Sequence, residues 1–155
     1  MDTKHLNKLR KHCATNGLVF NRAKLSEVYS FWMENISIVT HYERDYKLAN
    51  QTRIINKVLF NDAPDLMFVN IEVMKKRFEK FSQLGFINNR DKLYLFRESP
   101  IGWYLQDWSQ FAIKFNYIQY RIIPWLLAKE VSIHSVRFFI IVKHCNLFFS
   151  IFFII

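Results

Sequence analysis

Glycine and proline are scarce, three of each in 155 residues. That leaves little material for hairpin turns or for a glycine-rich loop that cradles phosphate, whereas long stretches free of both suit helices. The fold class expected is all-α. Cysteine is scarcer still: Cys13 and Cys145 are far apart and neither sits in a CxxC pair. Neither a disulfide framework nor a zinc site is supported, and two ordinary reduced thiols are expected. Catalytic signatures are missing as well, since no GxSxG, Walker loop or dinucleotide fingerprint occurs. The histidines, at 5, 12, 41, 134 and 144, form no HExxH pair, and His41 with Glu43 and Asp45 lies on a charged helix. The chain is expected to be no enzyme, with no metal and no cofactor. Acidic residues are in short supply, 13 Asp+Glu against 22 Lys+Arg for a net charge of +9. A phosphate-rich partner fits that balance, either nucleic acid or an anionic membrane surface. At 51% hydrophobic and 17% aromatic the chain has ample core material, and its length has room for one domain.

What is present is a pattern written twice. VLFNDAPDLMF (58–68) is followed by LYLFRESPIGWYL (93–105), and in each a short apolar helical run ends on a proline that opens a new segment. Pro64 and Pro100 stand 36 residues apart, a period that belongs to stacked supersecondary units too small to bury their own apolar faces. Helical spacing places Leu6, Leu9 and Cys13 on one face of the first segment, which Gly17 stops. Later stripes comprise Leu25, Val28, Tyr29 and Trp32, then Ile54, Ile55, Val58 and Leu59. Two more follow: Ile71, Met74, Phe78 and Phe81, and Trp108, Phe111, Phe115 and Ile118. Gly17 and Gly85 stand 68 residues apart, and Asn50 falls where the middle unit's glycine would be. Asn tolerates the left-handed conformation next best, so a chain stop at Asn50 is expected.

Helix, proline, short turn, then a second helix ending in LGF: this arrangement resembles the mitochondrial transcription termination factor (mTERF) family. VLFNDAPDLM is similar to the family's apolar proline-bearing run, and VMKKRFEKFSQLGF to the second helix of its repeat. The third unit, LFRESPIGWYLQDWSQFAIKFNYIQYRI, is most similar to the branch that works with a mitochondrial rRNA methyltransferase, through the spacing of Gln110, Lys114, Phe115, Tyr117 and Arg121. The resemblance covers about residues 5–130. It implies a right-handed α-solenoid of about three repeats, incomplete at both ends, binding RNA (rRNA) or double-stranded DNA in the mitochondrial matrix. The repeats through which the family engages a methyltransferase partner are largely absent.

Three basic clusters could carry binding. Lys75, Lys76, Arg77 and Lys80 share one helix, Arg44 and Lys47 lie on the helix before it, and Lys114 and Arg121 on the helix after it. Each alone reads as a solvated face. Stacked side by side in successive repeats, they would form a stripe that tracks phosphates. Tyr117 and Tyr120 alternate with these bases, and core or inter-repeat packing is the expected use of both. Lysines outnumber arginines, which favours backbone tracking of RNA over base-edge reading of duplex DNA.

Residues 131–155 form a separate segment. They hold no acidic residue and 6 of the 16 phenylalanines. A membrane span needs about 20 apolar residues, and Lys143, His144 and Asn146 interrupt this one, so a membrane is not expected as a partner. Val131-Ser132-Ile133 is what a strong 5′ splice donor would encode, which favours translated intron over a packed C-terminal helix. An open third unit would expose Trp108, Phe111 and Trp125 unless something covered them.

Overall fold

A computed structural model describes residues 1–36, 44–83 and 89–129, with backbone alone for 44–49, 89–91, 94 and 126. Among the described residues every regular element is helical and no strand occurs. The expected stop at Gly85 and the 131–155 segment, with Cys145, lie outside the described residues. The chain groups into two compact units, Met1–Lys75 and Lys76–Ile155, where length alone suggests one domain.

In the first unit, α1 (Thr3–Asn16) starts on Asp2, whose Oδ1 accepts from the His5 amide at 2.8 Å. It stops at Gly17, which adopts φ 64 and so needs no Cβ to be accommodated in the left-handed region. Leu6, Leu9 and Cys13 are buried as their spacing predicts. α2 (Arg22–Ile36) buries Leu25, Val28, Phe31, Trp32 and Ile36, while Tyr29 is half-buried and donates its hydroxyl proton to Asn56 Oδ1 at 2.8 Å. α3 runs Arg44–Lys57 through Asn50 without a break. The expected stop there is therefore wrong: Asn50 Oδ1 accepts from Arg53 Nη2 at 2.9 Å one turn on, a surface use that leaves the helical ladder intact. Ile55, Val58 and Leu59 are buried, and Ile54 only half-buried.

After Lys57 the helix widens into a π turn (Val58–Asp62), closed by the Ala63 amide on the Val58 carbonyl at 2.8 Å. Pro64 has no amide to continue the ladder and pushes Ala63 out of the α region, to φ −144 and ψ 68. A 3-10 turn (Pro64–Phe68) follows. Trp32 Nε1 donates to the Leu66 carbonyl at 2.8 Å, pinning that turn to α2. α1 docks on the same segment: His5 stacks on Phe60 at 4.1 Å, Lys8 Nζ donates to Asn61 Oδ1, and His12 Nε2 donates to Asp65 Oδ1 at 2.8 Å.

α4 (Ile71–Gln83) begins on Asn70, whose Oδ1 accepts from the amides of Glu72 at 2.9 Å and Val73 at 3.3 Å. Met74, Phe78 and Phe81 are buried, with Ile71 half-buried at the helix start. In the second unit α5 (Asn89–Glu98) leads through Ser99 and Pro100 into a second π turn (Ile101–Leu105), closed by the Gln106 amide on the Ile101 carbonyl at 2.7 Å. Asp107 caps α6 (Trp108–Tyr117), accepting from the Ser109 and Gln110 amides at 3.3 Å each. A third π turn (Ile118–Ile122) runs on into α7 (Ile123–Ala128).

This unit's core is aromatic. Phe81 lies 5.6 Å from Trp103, 5.8 Å from Tyr104 and 5.9 Å from Phe111, ring centre to ring centre. Such tilted and edge-on pairs add stabilisation beyond area burial. Phe111, Phe115 and Ile118 take the inward positions expected of them. Trp108 does not: it is 38% exposed, because it sits in the first turn after the Asp107 cap and reaches the core only at its rim, 5.5 Å from Phe111. Of the three rings that an uncovered third unit would expose, Trp108 and Trp125 are exposed and Phe111 is fully buried.

Candidate nucleic-acid interface

The eight basic residues singled out by the sequence meet three different fates. Arg44 and Lys47 fall within α3, and their side chains lie outside the described residues. Lys75, Lys76 and Arg121 are exposed, with Lys75 Nζ held 2.9 Å from Glu72 Oε1. Lys80 is half-buried, reaching Gln83 Oε1 at 3.4 Å and lying 5.5 Å from the centre of the Phe115 ring.

Arg77 and Lys114 are withdrawn from the surface, at 3% and 6% exposure. Both point at one place, the second π turn. Arg77 Nη1 donates to the Trp103 carbonyl at 3.4 Å and Nη2 to the Gln106 carbonyl, while the guanidinium covers Phe111 at 4.8 Å. Lys114 Nζ donates to the Gly102 carbonyl and sits 4.3 Å above the Trp103 ring. The last carbonyls of a helix have no partner within it and carry the negative end of its dipole. Two cations from neighbouring helices supply that partner here. These two residues are structural caps, and the expected stripe loses them because a buried cation already bonded to carbonyls cannot meet a phosphate. Burial pulls the Arg77 pKa below its usual value, and the Asp107 carboxylate opposes that pull.

The sequence did carry the signal for both. Arg77 lies three residues after Met74 and four before Phe81, and Lys114 three after Phe111 and four before Ile118, so each falls on its helix's buried stripe.

A further basic surface lies on α1. α1 carries Lys4, Lys8, Arg10 and Lys11 with no acidic residue between Thr3 and Asn16. Lys8 is engaged with Asn61, whereas Lys4, Arg10 and Lys11 face solvent. A groove of about 320 Å³ in the first unit is lined by Lys24 and Lys75 but also by Glu27 and Glu72. Its charges balance, and Asn70 already occupies the first amides of α4, so it offers no anion site. Burial raises the Cys13 thiol pKa and leaves it poorly reactive. Among the described residues no group of three His, Cys, Asp or Glu is placed to hold a metal ion.

Compared with family models, with curated proteins and with solved structures, the chain finds no match.

Proposed function

We propose that this chain is a nucleic-acid-binding protein built from mTERF-like helical repeats, that it binds structured RNA such as mitochondrial rRNA, and that it acts by positioning a partner and not by chemistry. One observation carries the reading: the outward basic residues of α1 (Lys4, Arg10, Lys11) and of α4 (Lys75, Lys76) remain at the surface after the two buried cations are set aside. Phosphates need only exposed positive charge at intervals along the chain, and these helices provide it. The repeat reading draws support from the two proline segments. Each combines a helix, a π turn and a proline with a polar N-cap on the next helix, Asn70 in one and Asp107 in the other. The π turn precedes the proline in the first and follows it in the second.

The test is a salt titration of RNA affinity with Lys75, Lys76 and Lys80 replaced by Gln and Arg77 left in place. Affinity should fall about equally across RNA sequences, and the slope of log affinity against log salt should flatten by up to about 2 units. Unchanged affinity and slope would reduce α4 to a solvated face. Tighter binding to duplex DNA than to RNA would favour a transcription-regulating role. Partner binding insensitive to salt would favour a protein–protein adaptor.

A further inference from the structure

In the second unit, exposed side chains between Ile113 and Lys129 lie apart from the basic residues of α1 and α4 that carry the nucleic-acid reading, although Arg121 of the expected stripe stands among them. Along the chain from Trp108 to Lys129 there is no acidic residue, and large side chains stand in solvent: Tyr120, against the expectation that it packs, at 67% exposure and Trp125 at 57%, with Ile113 and Leu127 also exposed. Arg121 and Lys129 are exposed among them, and Lys129 Nζ rests 4.9 Å above the Trp125 ring. The apolar contacts of the same helices, Phe111, Phe115, Ile118 and Ile122, are buried, so among the described residues the outward set is surplus to the core.

We propose that these exposed side chains dock on an anionic lipid surface. Aromatic and aliphatic side chains inserted at headgroup depth, with Lys and Arg at the phosphate level, make up the composition of an interfacial helix. Lys129 Nζ over the Trp125 ring pairs a cation with an aromatic side chain, and both kinds of group belong at headgroup depth. A single-stranded nucleic acid would match the charge and could stack on Tyr120 and Trp125. It has no use for exposed Ile113 and Leu127, which is why lipid is the occupant these side chains fit better. The expectation that a membrane is no partner rested on the interrupted apolar run of the tail. Surface docking requires no span, and among the described residues no helix is long and apolar enough to make one.

The experiment is co-sedimentation of the full chain with vesicles of phosphatidylcholine, with and without phosphatidylserine, alongside two paired variants. The parent should bind the anionic vesicles and not the neutral ones, with a blue shift of tryptophan emission. Arg121→Gln with Lys129→Gln should weaken binding about 25-fold, taking about fivefold per charge. Trp125→Ser with Leu127→Ser should weaken it about tenfold or more. All four positions face solvent, and if one pair fails to fold the other still reads out the surface. A parent that ignores anionic vesicles overturns the proposal, as does equal binding by parent and variants, which would place the contact elsewhere in the chain. So does loss of RNA affinity in the apolar pair with no vesicle binding, or a parent dimer that the apolar pair converts to monomer without vesicle binding.

Discussion

Replacing Arg77 separates a structural cation from a binding one. In Arg77→Met the stem is kept and the guanidinium removed, so the Trp103 and Gln106 carbonyls lose their donors. Each buried group left unpaired costs about 1–3 kcal/mol. Relief from holding a buried charge offsets part of this, because desolvating an ion is itself expensive. The net loss should be about 2–4 kcal/mol, seen as a fall in melting temperature of roughly 5–15 °C for a chain of this size. Arg77→Lys should lose part of that, since an ammonium cannot span two carbonyls as the planar fork does. The assay is thermal and urea unfolding followed by circular dichroism, with RNA affinity measured on the folded fraction at several salt concentrations. If Arg77→Met left stability unchanged while flattening the salt slope, Arg77 would be a phosphate ligand and its reading as a cap would be refuted.

Three other perturbations follow from the same packing. Gly17→Ala places a Cβ at φ 64 with no atom within 4 Å to clash, so the cost should be conformational alone, about 1 kcal/mol by urea unfolding; a stabilised variant would contradict the left-handed cap. Trp32→Phe removes the Nε1 donor to the Leu66 carbonyl and should destabilise by about 1–3 kcal/mol, with hydrogen exchange accelerated across residues 64–68; unchanged exchange there would mean the turn is held otherwise. Hydrogen bonds from Ser109 and Gln110 hold the Asp107 carboxyl below its ordinary pKa of 3.8. A depressed folded pKa contributes stability that is present above the unfolded value and lost as pH falls through the folded one. Asp107→Ala should therefore melt lower than the parent at pH 7, and the gap should close in acid below the folded pKa; a gap independent of pH would remove the cap from the account.

How much of this was legible in the sequence varies by level. Helix identity followed from apolar spacing and from the shortage of glycine and proline, and Gly17, Pro64 and Pro100 fell at element boundaries. The π turns were not legible, because an extra residue in a helical turn changes the closing bond, as from Ala63 to Val58, without altering composition. At Asn50 the repeat period points to a stop while the helix propensity of its neighbours points through it, and nothing in an Asn side chain forces a left-handed backbone. Trp108 misled because spacing places a residue on a face but says nothing of how close that turn lies to the core's edge. Arg77 and Lys114 are the instructive cases. Charge marked them as surface, while their positions on stripes of Phe, Met and Ile marked them as buried, and the carbonyls of the second π turn decided the outcome by giving the buried cations partners.

The central claim is that the outward basic residues bind nucleic acid phosphates, and the salt dependence of the parent chain's affinity tests it most directly. Titrated against a structured rRNA fragment, log affinity should fall linearly with log salt at a slope steeper than about −2, the value that three neutralised phosphates would give. A slope near zero, or no RNA binding at low salt, would contradict it.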